Sequence, residues 1–227
     1  MTPITPGRSV RATMTGMHLD HLSFAAGQEG LEATARRLGG LLGARFHDGG
    51  FHPRFGTVNR ILPLAKGHYL EIVQVLDHPA ADKAPFGQAV RARSAMGGGW
   101  LGWVVAVDDL EPIEQRIGRA AVEGSRHRPD GLRLEWRQLG VKGLQADPQL
   151  PFFVSWLTDP SCHPSVGGRA IELLRLEIAG DRERVDSWLG GSSDEMLEDV
   201  EIDWVAPNGQ PGLEAAWFDT PQGKVRI

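Results

Sequence analysis

Apolar and polar residues alternate along several short stretches of this chain, and such stretches lie back to back on either side of Ala65 to Gly67. Thr57 to Leu64 and His68 to Val75 read as strands joined by a tight turn, because successive side chains of a strand face opposite ways. On the second strand Tyr69, Glu71, Val73 and Val75 share one face, and Leu70, Ile72, Gln74 and Leu76 share the other. Gly49 to Gly56, rich in glycine and carrying His52, Pro53 and Arg54, reads as a loop leading into this hairpin. Upstream, His18 to Ala26 predicts a strand with Leu19, His21, Ser23 and Ala25 on one face and Asp20, Leu22, Phe24 and Ala26 on the other. From Glu29 to Leu42 the pattern turns helical, with Leu31, Ala35, Leu38 and Leu42 recurring on one side and Gly43 closing the helix. That helix can cover Leu22 and Phe24, which leaves His21 and Ser23 on the open face. A short strand at Ala44 to His47 completes the order strand, helix, strand, strand, strand.

The order then recurs. Asp77 to Pro85 reads as a linker and Phe86 to Met96 as a modest helix closed by the glycines at 97 to 99. Trp100 to Val107 is a strand, and Asp109 can cap a helix with a stripe of Leu110, Ile113, Ile117 and Ala121. Arg126 to Gly131 reads as a turn-rich loop, followed by strands at Leu132 to Leu139, Pro151 to Leu157 and Arg169 to Ile178. This yields a first module at 17–78, a linker with a short helix at 79–98, a second module at 99–178, and a tail of helix and strands at 179–227. A parse in which 169–227 forms a further module remains open. Residues 1–16 read as a disordered leader, or as residues before a start at Met14 or Met17.

Composition narrows the function. Apolar residues make up 41% and charged residues 23%, ordinary for a folded chain, and the net charge of −5 comes without a basic stripe. Nucleic acid is therefore not expected as a partner, and no apolar run approaches bilayer length. The single cysteine, Cys162, permits no internal disulfide and suits a reducing cytoplasm. No phosphate loop, nucleophile elbow or paired-cysteine zinc spacing is present.

The stretches LDHLSFA, GGFHPRFGTVNRILPL and HYLEIV, with RPDGLRLEWR, PFFVSW and the pair His163–Pro164, resemble a glyoxalase-like group of the vicinal oxygen chelate superfamily over residues 17 to 178. The resemblance implies an α+β fold of paired βαβββ modules, shared with glyoxalase, bleomycin-resistance and dihydroxybiphenyl-dioxygenase proteins, whose curled sheets surround a cup. It also implies that His21 and Glu71 face each other there as ligands of a divalent metal. The second module offers no matching ligand at Gly102 or Trp103, and Glu172 and Glu177 face opposite ways, so the third ligand is unassigned.

A carboxylate within an apolar strand needs a partner. His21 and Glu71 can hold a metal, or form a hydrogen-bonded acid–base pair without one. His52 and Arg54 of the loop, with Asn59 and Tyr69, are candidate substrate contacts. For His52 and Asn59 the alternative is to close the hairpin or tie down the loop. Trp103, Trp136 and Trp156 read mainly as core, and one or two could line an apolar pocket. The expectation is a monomeric or homodimeric enzyme of lyase, isomerase or dioxygenase type, acting on a small molecule with adjacent oxygens. A non-catalytic protein that sequesters a small ligand in the same cup is the alternative.

Overall fold

The structure is a computed structural model and describes residues 16–206 and 209–227. Apart from Gly16, the leader expected at 1–16 lies outside the described residues. In chain order come β1 (His18–Ala25), α1 (Leu31–Leu42), β2 (His47–His52), β3 (Thr57–Pro63) and β4 (Tyr69–Val75). Helices α2 (Pro79–Lys83) and α3 (Pro85–Ala95) lead to β5 (Gly99–Ala106), α4 (Glu111–Ile117), β6 (Val122–His127), β7 (Arg133–Leu139), α5 (Gly143–Ala146) and β8 (Phe152–Trp156). The chain ends with β9 (Glu172–Ala179), α6 (Arg182–Leu189), α7 (Ser193–Met196), β10 (Glu201–Val205), β11 (Gly212–Thr220) and β12 (Gly223–Arg226).

Strands β1 to β8 close a barrel in the order β1-β4-β3-β2-β6-β7-β8-β5, and β10-β9-β11-β12 form a separate sheet. In each half of the barrel the first strand runs parallel to the last, β1 to β4 and β5 to β8. The halves meet along two unequal seams. β1 and β5 pair antiparallel from His18–Ala106 to Ala25–Gly99, whereas β2 and β6 are joined at Phe51–His127. Gly50 makes the narrow seam feasible. Its φ is +117°, and a Cβ there would lie 2.0 Å from the His127 carbonyl oxygen.

Alternation sorts the core into two clusters. Leu22 and Phe24 face outward against Leu31, Ala35, Leu38 and Leu42 of α1, which ends on the left-handed Gly43. Fully buried leucines such as Leu22, Leu38 and Leu42 each contribute roughly 1.5–3 kcal/mol. Leu176, Ile178, Ala216 and Phe218 of the separate sheet join the same outer cluster. Inside the barrel, Val73, Val104, Trp136 and Phe152 pack with Phe86 and Val90 of α3. Among the described residues no helix is long and apolar enough to cross a membrane.

Three sequence expectations change. Gly49 to His52 belong to strand β2, and only Pro53 to Gly56 form the turn. The strand β6 escapes a hydrophobic pattern because its buried positions are Gly124, Ser125 and Arg126. Finally, β9, which the pattern ran on from the second module, hydrogen-bonds to β10 and β11 instead of entering the barrel. β6 supplies the third strand that the sequence pattern assigns to β9.

Candidate functional site

Register brings the site together. The parallel pairing of β1 with β4 sets His21 beside Tyr69 and Ser23 beside Glu71, on the inner face of the barrel. The Glu71 carboxylate is buried and held at both oxygens. Ser23 Oγ donates to Oε1 at 2.6 Å, and Asn59 Nδ2 donates to Oε2 at 2.9 Å. His21 Nε2 stands 3.5 Å from Glu71 Oε1, an ion-pair distance. Its ring stacks on Tyr69, with centroids 4.3 Å apart and planes 17° from parallel.

Behind His21 lies a group the alternation pattern had assigned to the other face. The β1–β5 pairing is irregular between Leu19 and His21, which turns the Asp20 side chain toward its neighbour. His21 Nδ1–H donates to Asp20 Oδ2 at 2.6 Å. Asp20 Oδ1 accepts from Trp156 Nε1 at 3.1 Å and lies 3.0 Å from His163 Nε2. The arrangement fixes the His21 tautomer and leaves Nε2 facing Glu71.

Electrostatics follows from this sandwich. Burial alone would lower the His21 pKa, but Asp20 and Glu71 outweigh it and raise the value from 6.5 to about 8. Burial would raise both carboxyls. The opposing pull of His163 and His21 on Asp20, and of His21 on Glu71, nevertheless carries each well below the usual range. At neutral pH the centre is an imidazolium between two carboxylates. His52 behaves otherwise: burial pushes its pKa down to about 4, so it is neutral, and its Nδ1 sits 3.0 Å from Thr57 Oγ1. Burial, reinforced by Asp20 and Glu71, drives the Tyr69 phenol well above 10.

A pH dependence of stability results. The raised His21 pKa stabilises the fold fully below its unfolded value of 6.5, and that contribution, about 2 kcal/mol, is lost as pH rises through 8. The depressed Asp20 and Glu71 contribute above the ordinary carboxylate pKa and lose their contribution as pH falls toward their folded values. Urea unfolding should therefore show stability greatest between about pH 5 and 6.5 and falling toward pH 9. The alkaline fall should vanish in His21→Gln; a flat profile in the unmodified protein would contradict the arrangement.

These groups border a cavity of about 30 Å³, walled by Phe55, Phe86, Trp136, Phe152 and Trp156 and reached by Gln138 and Arg126. Of the residues singled out from sequence, His21, His52, Tyr69 and Glu71 line this cavity, and Asn59 bonds to Glu71. Gly49 is what admits Asn59, since a Cβ there would lie 2.1 Å from Asn59 Oδ1. Arg54 does not reach the cup. It is exposed and pairs with Glu123 at 2.7 Å, because the turn at Pro53 to Gly56 carries it to the barrel's outside.

Trp136 and Trp156 turn out to be cavity walls, while Trp103 is fully buried in the outer cluster, its Nε1 donating to the Gln149 carbonyl at 2.9 Å. Asp20, Ser23, Arg126 and His163 were not singled out as site residues. Ser23 carried a readable signal in its shared face with His21, and His163 in the His163–Pro164 pair.

The donor set does not fit the expected metal. Among the described residues no group of three or more His, Cys, Asp or Glu is placed to hold one. Both Glu71 oxygens already accept hydrogen bonds, and His21 Nδ1 is taken by Asp20. The carboxylates considered for a third ligand lie in the separate sheet, Glu177 bound to Arg226 and Trp217, and Glu172 to Lys66.

Residues 19–191 match the family of glyoxalase-like domains. A crystal structure of a hypothetical protein from Staphylococcus aureus is similar at TM-score 0.66 and 14% identity, over 91% of this chain and 92% of that one. Methylmalonyl-CoA epimerase from Mycobacterium tuberculosis is similar at TM-score 0.40 and 14% identity, over 63% of this chain and 87% of that one. The Streptomyces coelicolor epimerase, in complex with 2-nitronate-propionyl-CoA, is similar at TM-score 0.41 and 14% identity, over 63% and 94%. No curated protein matches.

Proposed function

Because this chain belongs to the glyoxalase-like family of the vicinal oxygen chelate superfamily, we propose that its cup is the active site of an isomerase-type enzyme that shifts a proton between adjacent oxygen-bearing carbons of a small molecule, without a metal. The observation that carries this reading is the buried Glu71 carboxylate, fixed at both oxygens and facing the Asp20-oriented Nε2 of His21 in a largely apolar cavity. Burial strengthens the electrostatic effects that such a pair exerts on a reacting group.

On an α-hydroxycarbonyl substrate, Glu71 takes the carbon-bound proton beside the carbonyl while His21 Nε2–H gives a proton to the carbonyl oxygen. The product of this step is a neutral enediol, with Glu71 protonated and His21 neutral. As the proton leaves His21, Glu71 loses the cationic neighbour that had depressed its pKa and so becomes a better base. Return of the Glu71 proton to the other carbon, with loss of the second hydroxyl proton to His21, yields the isomer and restores both groups. Asp20 holds the imidazole throughout, and Ser23 and Asn59 keep the carboxylate aimed.

The test is exchange of carbon-bound protons with D₂O, followed by ¹H NMR on short α-hydroxyaldehydes and α-hydroxyketones, with and without a chelator. Exchange above the buffer rate that the chelator leaves unchanged is expected. Binding without exchange would favour the sequestering protein, whose argument is the aromatic wall of the cavity. Exchange abolished by the chelator and restored by a divalent cation would return the metal.

A further inference from the structure

The proton shift leaves one charged group of the cup unused. Arg126 projects from β6 into the barrel and is only 4% exposed. Buried charges in proteins are ordinarily paired, since an unpaired one forfeits its hydration without return. Yet no described carboxylate forms an ion pair with Arg126, and its Nε has no hydrogen-bond partner among the described residues. Burial is the largest influence on it and lowers its pKa, while Tyr69 and Glu71 favour its charge and Arg128 opposes it.

The same side chain borders a second space. Outside the cavity lies a cleft of about 340 Å³ lined by Arg126, Arg128, His47 and His163, among others. The acid that faces this cleft, Asp48, is engaged by Arg60 at 2.7 Å, and Arg128 pairs with Asp130 at 2.7 Å. Arg126 thus stands unneutralised at the junction of this cleft and the Glu71–His21 cavity.

We propose that Arg126 anchors the carboxylate of the substrate, so that the enzyme acts on small hydroxy- or oxo-acids that enter from the cleft. The placement of the adjacent oxygens beside His21 and Glu71 rests on the proton-shift reading; the anion site does not. A planar carboxylate matches the guanidinium fork through two parallel hydrogen bonds. A phosphate monoester shares the oxyanion chemistry, and the titration includes inorganic phosphate to tell the two apart.

The experiment titrates the full chain with oxalate, glycolate and inorganic phosphate by calorimetry, in the unmodified protein and in Arg126→Met, Arg126→Lys and Arg54→Met. Oxalate or glycolate should bind the unmodified protein and Arg54→Met alike. Affinity should fall at least tenfold in Arg126→Met and by a smaller factor in Arg126→Lys, which keeps the charge but loses the fork. If Arg126→Met does not fold, the Lys variant alone decides. No carboxylate binding, or binding indifferent to a folded Arg126 variant, overturns the proposal, as does Arg126-dependent binding of phosphate in preference to both carboxylates. Arg126-dependent carboxylate binding without any proton exchange would support this site while sinking the isomerase reading. Exchange on neutral substrates with no carboxylate binding would do the reverse.

Discussion

Replacing Glu71 by Gln should lower proton exchange by about 10²–10⁴-fold, the usual contribution of a positioned base. The amide keeps the shape of the carboxylate, and its oxygen can still accept from Asn59 while its nitrogen donates to Ser23. Folding should therefore be largely retained while the proton acceptor is gone. A second readout separates this from a merely structural loss. With an anionic neighbour removed, the His21 pKa should fall from about 8, which NMR titration of the imidazole reads directly. A variant that kept more than a third of the parent exchange rate would remove Glu71 from the chemistry.

Asp20→Ala should cost about 3–5 kcal/mol of stability, the range for breaking a buried charged pair by removing one partner. Asp20 is fully buried, and its loss strands the His21 Nδ1–H and the Trp156 Nε1–H and leaves His163 without its carboxylate partner. Each stranded donor adds a desolvation cost. Urea midpoints at constant m-value provide the measurement. A loss below about 1 kcal/mol would mean that water or a neighbour replaces the carboxylate readily, and that Asp20 does not organise the site.

Asp20 also shows why part of the site could not be read in advance. Strict alternation on β1 places it with Leu22 and Phe24. The irregularity that turns it toward His21 belongs to the pairing of β1 with β5, strands that lie far apart in sequence. His163 reaches Asp20 across 143 residues, through a loop whose path nothing local dictates. Arg126 was hidden differently. Its strand buries glycine, serine and arginine where a detectable strand would bury valine or isoleucine, so the pattern reads Arg126 to Gly131 only as a turn-rich loop.

What the chain determines locally is considerable. Period-two and helical patterns are set by residues close in sequence, so β1, α1, the β3–β4 hairpin, β5 and β8 could be read from them, with His21 and Glu71 on the faces turned from α1. The assembly of two strand–helix–three-strand units into one barrel, the bulge that recruits Asp20, and the meeting of Arg126 with the Glu71–His21 cavity were decided by tertiary structure. The reason is physical: register between distant strands is chosen by how whole faces pack and which buried polar groups find partners. Those choices depend on many residues at once and leave no periodic trace at any single stretch.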